Sequence, residues 1–242
     1  MTTRDPDITR TWLRMPGMLC TAEVFTVLDP QLRLPGVVVD LAIQGTTLDE
    51  AAAHLLTHAK TVPGPVGVIG FSLGAIVVMA ALAKEAEAFA AVILLSTNPQ
   101  APRRDQHTAW GRFRHMTLRG EFDEVATELA PLLFSAQHLT PTLVGRGLAM
   151  AHAVGTGRLL DQLAIQQSRR DLRAELHHCS APTLVLAGSA DRLCTVGAQD
   201  EIAEAMPQGE LVVVEGYGHA MSMESPQLIA DVLNDWHDRN SA

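Results

Sequence analysis

The sequence predicts an α/β protein, in which helices flank a mostly parallel sheet and a helical segment interrupts the core. Short apolar, β-branched runs alternate with stretches of helical spacing, and this alternation is typical of a doubly wound parallel sheet. Residues 98–180 differ, because their apolar positions have only helical spacing and the segment is far too long for a plain connection. We therefore predict an α/β core formed by residues 1–97 and 181–242, with residues 98–180 as an α-helical cap.

Six apolar segments are predicted to form the strands of the sheet, bounded by turn residues or by helical stretches. They are Thr11–Met15, Val37–Leu41, the run that begins at Val66, Ala91–Ser96, Pro182–Gly188 and Leu211–Val214. The predicted helices of the core run over about 48–60, 73–88 and 226–238, with Thr47 and Glu50 as a capping box. In the cap, helical spacing covers Trp110–Leu118, Phe122–Phe134, Thr142–Val154 and Gly157–Leu176.

The composition limits the class of protein. The 242 residues are 47% hydrophobic and 19% charged, which is enough for one large core, and the net charge of −9 argues against binding to nucleic acid. The polar N-terminal residues do not have a signal peptide's apolar stretch, and no apolar run has the length of a bilayer span, so we expect a cytoplasmic protein. Three distant cysteines without metal-ligand spacing, and no Rossmann or P-loop glycine pattern, predict neither metal nor cofactor.

The sequence Gly70-Phe71-Ser72-Leu73-Gly74 joins a buried strand directly to a helix. So short a connection forces a tight turn with Ser72 at its apex, and glycines on either side avoid collisions that a Cβ would make. The Ser72 hydroxyl then projects at the carboxyl end of the strand, beside helix N–H groups that favour negative charge. This arrangement is typical of a catalytic nucleophile.

This pentapeptide is a G-x-S-x-G nucleophile elbow, and through it the chain resembles the α/β-hydrolase superfamily, in particular small-ester carboxylesterases and enol-lactonases. The resemblance implies an α/β-hydrolase fold. Because few residues precede the first strand, it also implies that the two leading antiparallel strands of the family are missing or vestigial, which leaves about six strands. In this family the acid and the histidine follow the nucleophile in that order. Asp191 and His219, each in a loop directly after a strand, match those two positions.

The resemblance also implies an oxyanion hole made of two backbone N–H groups. One donor is expected at Leu73, directly after the nucleophile. Pro16-Gly17-Met18 matches the family's His-Gly-x element with Pro in place of His, so Met18 is the expected second donor and Leu19 the alternative. One departure is that no Pro follows Asp191. Some relatives place the acid after the fourth strand instead, but Ser96-Thr97-Asn98 offers no carboxylate there.

The predicted cap lies beside Ser72 and is expected to contribute to the substrate pocket. The candidate pocket residues are Leu19, Phe71, Met116, Leu118, Phe134 and Met150. The pairs Arg169-Arg170 and Arg103-Arg104 have the charge to meet an anionic substrate, although a solvated face is the more ordinary interpretation of two adjacent arginines.

Together these features predict a serine hydrolase that cleaves a small carboxylic ester, lactone or thioester through an acyl-enzyme on Ser72. Two alternatives stay open. The same three residues serve proton abstraction, elimination or cofactor-free oxygen chemistry in related folds, and the scaffold also suits a non-catalytic receptor for a small molecule. The expected partner is a small molecule in each case, and the sequence does not fix the oligomeric state.

Overall fold

The computed structural model describes residues 10–240, and they contain one six-stranded sheet in which every pair of neighbouring strands is parallel. The strands are β1 (Thr11–Met15), β2 (Val37–Asp40), β3 (Val66–Phe71), β4 (Ala91–Leu95), β5 (Thr183–Gly188) and β6 (Gly209–Val214), in the spatial order β2-β1-β3-β4-β5-β6. The six-stranded parallel sheet confirms the predicted fold class. The expectation that two leading strands are missing concerns the chain before β1, most of which lies outside the described residues.

Helices connect the strands. They are α1 (Glu23–Thr26), α2 (Leu48–Thr61), α3 (Leu73–Lys84), α4 (Arg104–Leu118), α5 (Phe122–Leu129), α6 (Pro141–Gln167), α7 (Arg173–Leu176), α8 (Val196–Ala205), α9 (Met221–Glu224) and α10 (Pro226–Asn240). A short 3-10 helix, Ala130–Leu133, follows α5. Helix α3 ends four residues earlier than the sequence pattern suggested, since Glu85 already leaves the helical conformation with φ −138°.

Both faces of the sheet are covered, and alternate strand residues supply the two cores. Val68 and Leu94 belong to the cluster with α2 and α3, whereas Ile69 and Leu95 belong to the cluster with α1 and α10. Burial on both faces explains why β3 and β4 read as continuous apolar runs. The central strands therefore form a rigid platform, and their carboxyl ends open at one edge.

The start of α2 agrees only in part with the predicted capping box. Thr47 Oγ1 accepts a hydrogen bond from the Glu50 N–H at 3.2 Å, as expected for an N-cap. The Glu50 carboxylate, however, accepts from the N–H of Thr46 at 2.8 Å rather than from that of Thr47. The hydrogen bond from the backbone to the Glu50 side chain thus comes from the residue before the N-cap rather than from the N-cap itself.

Between β4 and β5 the described chain forms α4, α5, α6 and α7 and no strand. These helices share a small apolar cluster with Leu19 of the loop after β1, and it includes Trp110, Phe113 and Leu163. The break expected between 154 and 157 lies at Gly155, whose φ of 78° and ψ of 171° kink α6 into two helical stretches. The second stretch ends at Gln167 rather than at Leu176, and α7 follows as a separate helix. The boundaries of the cap at 98 and 180 stay a prediction.

Within residues 10–240 no helix combines the length and the apolar character that crossing a bilayer requires.

Candidate active site

Ser72 lies where β3 turns into α3, at the carboxyl edge of the sheet. Its backbone has φ 53° and ψ −116°, a conformation that non-glycine residues rarely adopt. Neighbouring segments hold the turn, because the Ser72 N–H donates to Leu95 O at 2.9 Å and the Thr97 hydroxyl donates to Ser72 O at 3.0 Å. The strained turn is thus fixed by the end of β4 and the residues after it.

The two glycines of the elbow are required by close approach of backbone. A Cβ on Gly70 would lie 2.5 Å from Ala75 Cα, within the first turn of α3. A Cβ on Gly74 would lie 2.1 Å from Met15 O, at the end of β1. Strand, helix and the loop after β1 therefore meet at this point with no room for a side chain.

The structure brings Ser72, His219 and Asp191 into one hydrogen-bonded chain. His219 Nε2 lies 2.8 Å from Ser72 Oγ, and His219 Nδ1 lies 2.8 Å from Asp191 Oδ2. Asp191 and His219 are buried, whereas Ser72 is partly exposed. This is the geometry in which an imidazole can accept a proton from a hydroxyl while a carboxylate fixes its tautomer.

The loop after β5 orients Asp191 even though no proline follows it. Its second carboxylate oxygen, Oδ1, accepts hydrogen bonds from the N–H groups of Leu193 at 2.8 Å and Cys194 at 3.0 Å. The thiol of Cys194 also lies close: its Sγ, a carboxylate oxygen of Asp191 and a ring nitrogen of His219 all lie within 4.8 Å of one another. The sequence spacing gave no sign of this cluster.

Burial and charge act in opposite directions on His219. Its burial lowers the pKa, but the charge of Asp191, the hydrogen bond that Nδ1–H donates to Asp191 and the side chain of Cys194 together raise the pKa above its ordinary value of 6.5. An elevated pKa strengthens the imidazole as a base. In the free enzyme the imidazole ring is therefore mostly neutral only when the pH exceeds this raised pKa of His219.

The loop that carries His219 is anchored from two sides. The Ser96 hydroxyl donates to the His219 carbonyl at 2.6 Å. The buried carboxylate of Glu224 accepts from the N–H groups of Gly218 at 2.9 Å and Ser135 at 2.6 Å, which ties this loop to the chain between α5 and α6. The sequence did not reveal these roles of Glu224 and Ser96, because Glu224 binds Ser135 across 89 residues and Ser96 binds His219 across 123 residues.

The loop after β1 lies directly against the nucleophile, since a Cβ on Gly17 would come within 2.9 Å of Ser72 Cβ. The alternative oxyanion donor, Leu19, is already engaged: its N–H donates to Gln162 Oε1 at 3.0 Å. Met18 therefore stays the candidate in this loop. Leu73 is the first residue of α3, and an N–H at that position has no acceptor within its own helix.

A cavity of about 350 Å³ opens above Ser72 and His219. Its volume suits a small organic molecule. Leu19 and Phe71, two of the six predicted pocket residues, are among its walls. Other walls come from α4, the 3-10 helix and α6, and include Trp110, Leu132, Gly147 and Ala151.

The other four predicted pocket residues lie elsewhere, so that part of the sequence prediction is wrong. Phe134 and Met150 are buried in the core cluster that contains α1 and α10. Met116 packs against the apolar cluster of the cap helices, and Leu118 is 57% exposed. Apolar spacing identified helix faces correctly but does not indicate whether a face meets the cavity, another helix or the sheet.

Arg169 also departs from the sequence interpretation, because it lies on no solvated face. Its side chain is 7% exposed and is one of the walls of the cavity, whereas Arg170 is partly exposed and pairs with Glu175 at 2.8 Å. The difference arises from the end of α6, which directs two adjacent residues to opposite surroundings. Sequence spacing alone could not separate them.

Curated relatives with known names are similar over most of the chain. A pimeloyl-[acyl-carrier protein] methyl ester esterase of Xanthomonas campestris pv. campestris is 27% identical over 216 residues, which cover 81% of each chain. A putative carbamate hydrolase, RutD, of Pseudomonas savastanoi pv. phaseolicola is 34% identical over 90 residues, which cover 36% of this chain and 34% of the relative.

Solved structures share the fold at low identity. MenH from S. aureus superposes with a TM-score of 0.86 at 13% identity, covering 98% of this chain and 97% of the other. A thermophilic esterase from Thermogutta terrifontis gives a TM-score of 0.81 at 20% identity, with 97% and 92% covered. The enol-lactonase from Burkholderia xenovorans gives 0.81 at 16% identity, with 97% and 94% covered.

A family model described as the alpha/beta hydrolase family matches residues 12–232, which is nearly all of the described chain. The match confirms the resemblance found in the nucleophile elbow and the histidine loop. The chain therefore belongs to the alpha/beta hydrolase family.

Proposed function

We propose that this protein is a serine hydrolase that cleaves a small carboxylic ester, lactone or thioester through an acyl-enzyme on Ser72. The observation that carries the proposal is the hydrogen-bonded chain from Ser72 Oγ through His219 to Asp191, with both links at 2.8 Å, at the floor of a cavity. The esterase names of relatives that cover most of the chain support the same bond type.

In the first half of the reaction, Ser72 Oγ attacks the carbonyl carbon and His219 Nε2 accepts the hydroxyl proton. The carbonyl electron pair moves to oxygen, and the N–H groups of Leu73 and Met18 hold the resulting oxyanion. The intermediate then expels the alcohol, which takes the proton from His219. An acyl group remains on Ser72.

In the second half, His219 takes a proton from water and the hydroxide formed attacks the acyl-Ser72 carbonyl. The new tetrahedral intermediate uses the same two N–H donors. Its collapse releases the carboxylic acid and returns the proton to Ser72. The Asp191 carboxylate stabilises the imidazolium that forms twice in the cycle.

Replacement of Ser72 by Ala is expected to lower the hydrolysis of p-nitrophenyl butyrate by about 10³-fold or more, because it removes the nucleophile. The matched control is Ser180→Ala, which changes an exposed serine outside the cavity and should keep full activity. Equal activity of the Ser72→Ala and wild-type proteins would contradict the proposal.

A second measurement separates acyl transfer from other chemistry on the same three residues. Mass spectrometry of the quenched wild-type reaction should detect the butyryl group on the peptide that contains Ser72. Turnover that depends on Ser72 without any such adduct would favour proton abstraction or elimination. Tight binding of the ester without turnover would favour a receptor.

A further inference from the structure

The cavity above Ser72 holds a buried cation that has no anionic partner among the described residues. The Arg169 side chain is 7% exposed, and its guanidinium donates to Gln166 Oε1 at 2.9 Å, Asn98 Oδ1 at 2.6 Å and Gln100 O at 2.9 Å. All three acceptors are neutral. The Nε–H is buried and has no acceptor at all.

An isolated charge in such a place is costly, because burial removes hydration and neutral acceptors replace it only in part. Burial lowers the pKa of Arg169 from 12.5 to about 10, so the group is still cationic at neutral pH. The Trp110 ring, 5.8 Å from the guanidinium carbon, adds an attractive face but no counter-charge. The free protein therefore holds this cation without the partner that a buried arginine normally has.

The other charged residues in the cavity walls are also mostly positive, whereas the chain as a whole is negatively charged. The walls include four arginines and one glutamate, Glu128, whereas the net charge of the protein is −9. Glu128 pairs with Arg112, and Arg103 pairs with Asp105 at 2.9 Å. The Arg192 guanidinium donates to the Pro131 carbonyl at 3.1 Å, again a neutral acceptor. A low-dielectric cavity of one sign attracts ligands of the opposite sign.

We propose that Arg169 binds a carboxylate carried by the substrate at a distance from the carbonyl that Ser72 attacks, so that the substrates are half-esters of dicarboxylic acids or esters of hydroxy-acids. This inference rests on the proposed function for its bond type, but the binding of a carboxylate does not depend on it. Arg169 acts here as a substrate-binding residue. Asn98, Gln100 and Gln166 position its guanidinium.

The first experiment compares matched substrates that differ in one carboxylate. On the acyl side the pair is mono-p-nitrophenyl glutarate and p-nitrophenyl valerate; on the alcohol side it is p-acetoxybenzoate and p-tolyl acetate. In Arg169→Met, the anionic-to-neutral ratio of kcat/KM should fall by about 10- to 100-fold for one of these pairs, mainly through KM, as expected for lost charge-assisted hydrogen bonds. The pair that responds shows which side carries the carboxylate.

The matched control is Arg170→Met, which removes the same charge one residue away but outside the cavity walls. It should keep the wild-type ratio for both pairs. A ratio in Arg169→Met equal to that of the wild-type protein, for both pairs, would overturn the proposal. Arg169→Lys keeps the charge and loses the planar fork, and it should give an intermediate ratio.

Two measurements keep the inference testable if Arg169→Met does not fold or no ester is cleaved. In the wild-type protein, glutaramate should inhibit at a lower concentration than valeramide, which lacks the distal carboxylate, and equal or weaker inhibition would contradict the proposal. Calorimetry with Ser72→Ala should detect monomethyl glutarate binding that weakens in Ser72→Ala/Arg169→Lys. Such binding without Ser72-dependent hydrolysis would refute the esterase function and keep the carboxylate site. Ser72-dependent hydrolysis that does not change with substitution of Arg169 would keep the esterase function and refute the carboxylate site.

Discussion

Ser72 and Arg169 face one cavity, but different kinds of structure hold them in place. Ser72 is fixed by backbone: a strained turn, a hydrogen bond to β4 and two glycines packed against neighbouring main chain. Arg169 follows the end of α6 and is fixed mainly by side-chain and carbonyl acceptors in Asn98, Gln100 and Gln166. The nucleophile depends on the sheet, whereas the cation depends on how a helical segment packs.

This difference separates the chemistry from the choice of substrate. Main-chain geometry at the sheet edge tolerates almost no change, because it positions the nucleophile and the N–H donors together. Side chains in the helical segment can be exchanged one at a time without moving the turn at Ser72. We therefore expect substitutions at the sheet edge to affect kcat, and substitutions in the helical segment to affect mainly KM except where a side chain contacts a loop at the sheet edge.

The largest effect is expected from Asp191→Asn, which should lower kcat/KM by about 10³- to 10⁴-fold, because the amide no longer stabilises the imidazolium or fixes its tautomer. The pH dependence tests the physical cause. Catalysis needs neutral His219, so activity rises with pH through the pKa of that ring, and in the wild-type protein this midpoint should lie above 6.5.

In Asp191→Asn the raising effect of the charge is lost and the lowering effect of burial remains, so the midpoint of the residual activity should move to lower pH. The measurement is kcat/KM for a neutral ester from about pH 5 to about pH 11, because the pKa of His219 in the wild-type protein is raised to about 10. An unchanged midpoint would mean that Asp191 does not set the pKa of His219.

A pair of Gly→Ala substitutions compares the two regions directly. Gly74→Ala would place a Cβ 2.1 Å from Met15 O, and the free energy of unfolding should fall by about 3 kcal/mol. Gly111→Ala lies in α4, where nothing comes within 4 Å of the added Cβ, and it should raise that free energy by about 1 kcal/mol. Urea unfolding monitored by circular dichroism measures the free energy of unfolding of both variants. Equal changes would contradict the difference in packing between the sheet edge and the helical segment.

A smaller effect is expected where the helical segment touches the sheet-edge loop. Gln162→Met removes the acceptor of the Leu19 N–H and leaves a buried donor unpaired, so kcat should fall by about tenfold through displacement of the loop that carries Met18. Steady-state kinetics on p-nitrophenyl butyrate measures it, with the exposed Gln167→Met as control. An effect confined to KM would show that Gln162 acts on the substrate pocket instead.

The smallest effect is expected from Leu118→Ser, because that side chain is 57% exposed and lies outside the cavity. Activity should stay within about twofold of the wild-type value and the free energy of unfolding within about 0.5 kcal/mol. Leu132→Ser, at a wall of the cavity, should raise KM for a valerate ester. A similar change of KM in both variants would mean that the substrate does not contact the cavity wall at Leu132.

The same contrast explains what could be predicted from the sequence. Ser72, Asp191 and His219 each follow a strand, and parallel strands place their carboxyl ends at one edge, so local patterns were sufficient to bring them together. The cavity walls were mostly missed, because the spacing of Phe134 or Met150 defines a helix face but not the surface that it meets. Gln162 was missed, and Arg169 could not be told apart from Arg170, for a related reason: their partners, Leu19 and Asn98, are more than 140 and 70 residues away.

The contacts of Asn98 and Pro99 have a further consequence for the segment between β4 and β5. The Leu172 N–H donates to Pro99 O at 2.9 Å, and Arg169 donates to Asn98, so the two ends of this segment are fastened to each other beside a directly paired Leu95 and Leu186. Lengthening a closed loop costs little, about 0.6 kcal/mol for each doubling. The helices between these fastened ends can therefore vary in length at little entropic cost. A graft from another member of the family would still have to keep an acceptor for the Leu19 N–H and a donor for the Glu224 carboxylate, because both contacts hold catalytic loops.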